Sequence, residues 1–213
     1  MKQKKTARFR QPTPEEQQIL IHVMVRLVRP EEVQRFDQLM AQHHYLKNAQ
    51  VVGEHLRYVA EYRGQWLALA TWSAPALHIK PRDAFIGWTE EQRRRRLPLL
   101  VNNTRLVVLP PGPYPNLISR FMKLMLEQLS SDWQQTWAPP LALAETFVDP
   151  HLYQGTAYKA SGWHRLGQSA GPGPIRRHPL ARAVAGPGIS ARQAHRQDWL
   201  PWGKHLQTTV AAH

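Results

Sequence analysis

The sequence predicts an α/β domain over residues 13–170: a mixed sheet flanked by helices, with a basic arm before it (1–12) and a basic, Gly/Pro-rich tail after it (171–213). Three patterns carry the prediction. Residues 56–62 and 65–72 alternate as strands do, with Arg63-Gly64 between them as a short turn, so they read as a hairpin. Thr104–Leu109, a helix opening at Leu117 and Leu141–Val148 follow as strand, helix and strand within the length of one βαβ unit, which implies a right-handed parallel crossover. Helix starts recur with their starting residues in place at Thr13, Pro30 and Thr89.

Taken in chain order, Lys2, Lys4, Lys5, Arg8 and Arg10 form the arm, with no acid among them. Thr13-Pro14-Glu15-Glu16 is a capping box, and Ile19, Leu20, Val23, Met24 and Leu27 continue at helical spacing. A second helix starts at Pro30-Glu31-Glu32, carries Val33, Phe36, Leu39 and Met40, and ends at His43-His44-Tyr45-Leu46. In the second hairpin strand, alternation puts Trp66, Ala68, Ala70 and Trp72 on one face and Leu67, Leu69 and Thr71 on the other. Thr89-Glu90-Glu91-Gln92 opens a helix bearing Arg93, Arg94, Arg95 and Arg96, which point around most of its circumference. Asn116 stands as the cap of the next helix, whose face is Ile118, Phe121, Met122, Met125 and Leu129. A short helix near 155–161 and a strand near 163–167 close the domain. In the tail, Trp199 and Trp202 are the residues able to dock it back.

Composition narrows the function. Hydrophobic residues make up 42% of 213, with eight tryptophans, enough for a packed core. No apolar run approaches a membrane span and none follows the N-terminal lysines as a signal would, so a cytoplasmic protein without membrane contact is expected. The absence of cysteine excludes disulfides, thiolate catalysis and cysteine-bound zinc. A net charge of +13 favours polyanionic partners through phosphate neutralisation and counterion release, and by itself also fits an anionic membrane surface or simple solubility; the expected partner is nucleic acid, DNA more than RNA. No Gly-x-Ser-x-Gly, Walker-type or dinucleotide fingerprint is present.

The segment from His43 to Gly167 resembles the domain that defines DruA-type proteins of the Druantia anti-phage system, a domain also associated with transposases. The residues that carry the likeness are His43-His44-Tyr45-Leu46, Arg82-Asp83 with Ile86-Gly87-Trp88, and Asn102-Asn103-Thr104-Arg105. They continue with Pro115-Asn116-Leu117, Glu145-Thr146-Phe147-Val148-Asp149, Gly155-Thr156-Ala157-Tyr158-Lys159-Ala160 and Gly162-Trp163. The resemblance implies a defence or mobile-element setting with nucleic acid, defence proteins or transposases nearby, and brings no established catalytic mechanism. The order of elements, from the hairpin through Tyr158, also resembles that of GNAT acetyltransferases; fold analogy by itself carries no function.

Three site readings follow. The basic surface, Arg93–Arg96 with Arg82, Arg105, Arg120 and Lys123 and with Trp88 available to stack on a base, is the leading one, because Glu90 and Glu91 cannot balance four arginines. A magnesium-dependent nuclease would use Glu145 and Asp149, which share strand parity, with Asp83. Against it stands a plainer reading, in which Glu145 pairs with an arginine and Asp149 caps a turn. Acyl transfer would use Tyr158 as general acid, and the resemblance then requires amides in the loop Pro110–Pro115. Proline has no N–H, so only Gly112 and Tyr114 donate there, which disfavours acetyl-coenzyme A. His43 and His44 lack the spacing of metal ligands, and no metal site is expected from them.

Overall fold

The computed structural model describes residues 10–48, 50–169 and 196–201. Its first helix, α1 (Pro14–His22), starts as its sequence dictates: Thr13 accepts from the Glu16 amide, and the Glu16 carboxylate accepts from the Thr13 amide. Apolar spacing then misleads, because Met24–Leu27 is not helix but β1, paired antiparallel with Leu27 opposite Tyr58 and Met24 opposite Glu61. A short run at one end of a sheet gains more from the ladder than from about one further helical turn. A 3-10 turn at Pro30–Glu32 leads into α2 (Val33–His43).

The hairpin forms as expected from β2 (His55–Tyr62) and β3 (Gln65–Ser73). After it come α3 (Lys80–Ile86), α4 (Glu90–Arg96) and β4 (Leu100–Val108). The 21-residue α5 (Leu117–Trp137) crosses back to β5 (Leu143–Val148), which pairs parallel with β4 as the crossover predicts. Asn116 occupies the cap position of α5 with φ 64° and without a side-chain cap bond. The chain closes through α6 (Thr156–Ala160), β6 (Trp163–Ser169) and β7 (Arg196–Pro201).

The seven strands lie in the order β1-β2-β3-β4-β5-β7-β6. β7 runs antiparallel to both its neighbours, so residues 196–201, expected in the tail, enter the sheet between β5 and β6. The remainder of the expected tail and the arm before Arg10 lie outside the described residues, as does Trp202.

Two apolar layers sandwich the sheet. On one side Leu117, Phe121, Met122, Met125, Leu129 and Trp133 of α5 pack on Tyr58, Ala70, Trp72, Val101 and Ala144. On the other, Phe36 and Met40 of α2 pack on Val59, Trp66, Leu69 and Leu109. Trp66 is therefore opposite in face to Ala68, Ala70 and Trp72, against strict alternation. The cause is a bulge: Ala60 faces Ala68 while Glu61 faces Trp66, so Leu67 is an extra residue and moves to the α5 side. Arg35 covers the relocated indole at 4.2 Å.

Candidate functional site

A second bulge builds the site. Thr71 faces Arg105 and Trp72 faces Asn103, leaving Thr104 as the extra residue of β4. The bulge coincides with the end of β4–β5 pairing, whose last rung is Asn103 opposite Thr146. From there β4 continues to Val108 against β3, while β5 pairs with β7. The parallel strands part, and a cleft of about 410 Å³ opens between them. β4 contributes residues 104–108 to its wall, where among the described residues no strand pairs with it on that side. Ile118 of α5 and Tyr158 of α6 line it from one face of the sheet, His43 of α2 from the other.

Tyr158 sits at the last rung. Its hydroxyl donates to Asn103 Oδ1 at 2.8 Å and lies 3.4 Å from Thr146 Oγ1. Thr146 spends its one proton on the Asn103 carbonyl at 2.9 Å. Asn103 is oriented by its own amide, which donates to the carbonyls of Thr71 and Arg105, both at 3.2 Å. The Tyr158 ring meets Trp163 edge-on at 5.2 Å, and Trp163 stacks on Trp72 at 6.3 Å, which locks the ring in place. Burial pushes the Tyr158 phenol up to about 12, so it is protonated throughout the physiological range. The site thus holds a proton donor where two strands separate. Neither Asn103 nor Thr146 was singled out as a site residue from sequence; the available signal was a polar run, Asn102–Arg105 in β4 and Glu145–Thr146 in β5, between apolar residues.

The loop from β4 to α5 borders this cleft through Pro113. The Gly112 amide is consumed by the Leu109 carbonyl at 3.2 Å, and that of Leu117 turns to the Tyr114 carbonyl at 3.3 Å. Gly112 is required by close approach, since a Cβ there would stand 2.7 Å from Val108 Cγ1.

The acidic candidates are not brought together. Glu145 is 3% exposed and points to the opposite face from Thr146, where both its oxygens accept from the Arg82 guanidinium at 3.2 and 3.3 Å. Arg82 is 1% exposed and also donates to the carbonyls of Ala76 and Leu77 and to Asp83 Oδ1. It is a buried structural cation, placed where no phosphate reaches it. Asp149 lines the cleft, but β5 ends at Val148, and Asp149 Oδ1 caps the turn by accepting from the His151 amide at 2.9 Å. Shared parity therefore does not bring Glu145 and Asp149 together. Among the described residues no three His, Asp or Glu side chains converge on a metal position.

The expected basic patch is also divided. Arg93 is mostly covered, next to Asp83, Glu90 and the His78 ring. Arg95 pairs with Glu91 at 2.7 Å. Arg94 is exposed and Arg96 half-buried, and neither has an ion-pair partner among the described residues. Trp88, half-buried, precedes this helix. Arg105 belongs to the cleft wall, bonded to the carbonyls of Asn48 and Thr104, while Arg120 donates to the Leu20 carbonyl and Lys123 is exposed on α5. His44 is buried, its Nδ1 accepting from the Leu46 amide at 3.2 Å. No helix among the described residues is long and apolar enough to cross a membrane.

Solved acetyltransferases share this architecture. Aminoglycoside acetyltransferase AAC(6')-Ib in complex with ribostamycin and coenzyme A matches at a TM-score of 0.54 and 11% identity, over 90% of this chain and 99% of that one. The same enzyme with coenzyme A and kanamycin matches at 0.52 and 12%, over 84% and 93%. A GNAT-family acetyltransferase from Streptococcus pneumoniae has a TM-score of 0.48 and 10% identity, over 84% and 98%. At such identities the likeness shows a GNAT-like fold. A comparison with curated protein sequences finds no match. Residues 1–182 match the family described as Druantia protein DruA, and the chain belongs to that family.

Proposed function

We propose that this protein is a component of an anti-phage system that transfers an acyl group from a thioester to an amine in the β4–β5 cleft. One observation carries the reading: the Tyr158 hydroxyl stands at the rung where β4 and β5 part, beside a stretch of β4 that no strand of the described residues covers on that side. An extended polyamide arm can add to the open edge of β4 as a strand would, its thioester end lying towards Tyr158. The substrate amine attacks the thioester carbon, the carbon–sulfur bond breaks and the leaving sulfur takes the Tyr158 proton; the nitrogen's surplus proton leaves to water, and the Tyr158 phenolate regains a proton from water. With its pKa raised by burial, Tyr158 acts as an acid and not as a base. Asn103 holds that proton at rest and aligns the hydroxyl.

The test is release of free thiol from an acyl-thioester panel, with polyamines and peptides as acceptors. Tyr158→Phe is expected to lower the rate about 100-fold or more while the melting temperature moves little. Equal rates for the variant, or no thermal shift with any thioester, would reject the reading.

A second reading, nucleic-acid binding in the same defence or transposition setting, is favoured by Arg94 and Arg96, which no acid offsets among the described residues. It predicts an affinity for DNA, or less strongly for RNA, that falls steeply with salt and falls again when Arg94 and Arg96 become glutamine.

A further inference from the structure

We propose that the arm entering the cleft is a phosphopantetheine carried on an acidic carrier protein, in preference to coenzyme A; this rests on the acyl-transfer reading. Both donors present the same amide arm and thiol. They differ at the far end, where coenzyme A has a pyrophosphate and a phosphorylated adenosine, and the carrier-borne arm has one phosphodiester to a serine.

The far end is where this chain is particular. Holding a pyrophosphate on backbone requires several successive N–H groups turned to one point. Between Leu109 and Leu117 the chain cannot supply them. Pro110, Pro111, Pro113 and Pro115 have none. Leu109 donates to the Leu67 carbonyl at 2.8 Å, and the amides of Gly112 and Leu117 are turned inward as described above. Tyr114 and Asn116 remain, separated by a proline. The side chain of Val108 fills the space beside Gly112, so a bulky diphosphate has no bed there. Two amides and the first turn of α5 suit one phosphodiester.

The surroundings suit an acidic protein. From Leu117 to Leu126, α5 carries Arg120 and the exposed Lys123 and no acid; Glu127 is the first. Ser161 Oγ lies 3.5 Å from the Ser119 carbonyl, which brings the end of α6 beside that turn and adds the exposed Lys159 to the same rim. The chain as a whole carries +13. Asp149 is the one acid among the residues that line the cleft, with Arg105 opposite in charge; the cations of α5 and α6 beside it complement an anionic carrier and steer its encounter.

The experiment measures binding of the full chain to four probes: pantetheine, coenzyme A, an acidic carrier protein with its phosphopantetheine, and the same carrier without it. The expected result is that the arm-bearing carrier binds at least tenfold more tightly than coenzyme A and than the bare carrier. Lys123→Glu with Lys159→Glu, shown folded by an unchanged melting curve, lowers carrier affinity about tenfold. Coenzyme A binding as tightly as the carrier, with pantetheine also bound, overturns this inference and keeps the acyl-transfer reading. Failure of all four probes to bind overturns both.

Discussion

Glu145 and Thr146 are neighbours on β5 and face opposite sides of the sheet, and the two clusters they anchor behave differently. Glu145 joins Arg82 in a buried ion pair sealed by the carbonyls of Ala76 and Leu77. Every strong donor there is spent, and the pair ties α3 and the loop before it to the sheet. Thr146 joins Asn103 and Tyr158 in an uncharged network that opens onto a cleft. A charge placed at the Thr146 position would need a counter-ion and would block the cleft; a phenol held by an amide keeps a movable proton at little desolvation cost. The charged side of the sheet is spent on holding the fold, and the neutral side leaves a hydroxyl on the wall of a cleft.

The comparison breaks most directly on the ion pair. Glu145→Ala leaves the buried guanidinium with Asp83 as its remaining carboxylate and is expected to cost about 2–4 kcal/mol of unfolding free energy, read from denaturant midpoints. Arg82→Ala should match it, and the double substitution should cost far less than the sum; additive losses would show that the pair is not the unit described. A nuclease built on Glu145 would instead lose cleavage with its stability intact.

A smaller effect is expected where Arg26 holds Glu32 at 2.7 Å and Glu61 at 2.7 Å beside α2. The hydrogen bonds from Arg26 and Arg29 hold the Glu32 carboxyl well below its ordinary value of 4.5. Its folded pKa is depressed, so its contribution is complete above about pH 5 and fades as pH falls through the ordinary range towards the folded value. Glu32→Gln should lower stability by about 1–2 kcal/mol at pH 7 and by progressively less at pH 4 and below, in a series of melts. A constant difference across pH would assign the loss to packing.

The smallest stability effects belong to the cleft. Thr146→Val and Tyr158→Phe should each cost about 1 kcal/mol, since each removes one neutral hydrogen bond. Their expected signature is the reverse of that of Glu145→Ala: a fold that stays and an activity that goes. If Tyr158→Phe unfolds the protein, the two clusters differ in charge alone and the contrast in role is lost.

How far the sequence reaches is visible in particular residues. The capping boxes at Thr13 and Thr89 form as written because their bonds close within four residues. The hairpin is legible for the same reason, through the Arg63-Gly64 turn, and the parallel crossover through the apolar face of α5. Trp66 was not, because one bulged residue reverses strand parity and leaves no mark in the alternation. Met24–Leu27 satisfies helical spacing and still becomes a strand once β2 lies beside it. Arg82 stood out in the sequence, but its partner Glu145 is 63 positions away in the chain.

By itself, then, the sequence determined what short-range physics can close: helix starts, the hairpin turn, the excess of positive charge, the family motifs, and the lack of amides in the proline loop. Tertiary structure alone decided which polar residues meet. It paired Glu145 with Arg82, sent Asp149 to a turn, and brought Asn103, Thr146 and Tyr158 together where β4 leaves β5. Those outcomes depend on bulges and on strand order, and a single displaced residue in either reverses which face a side chain occupies.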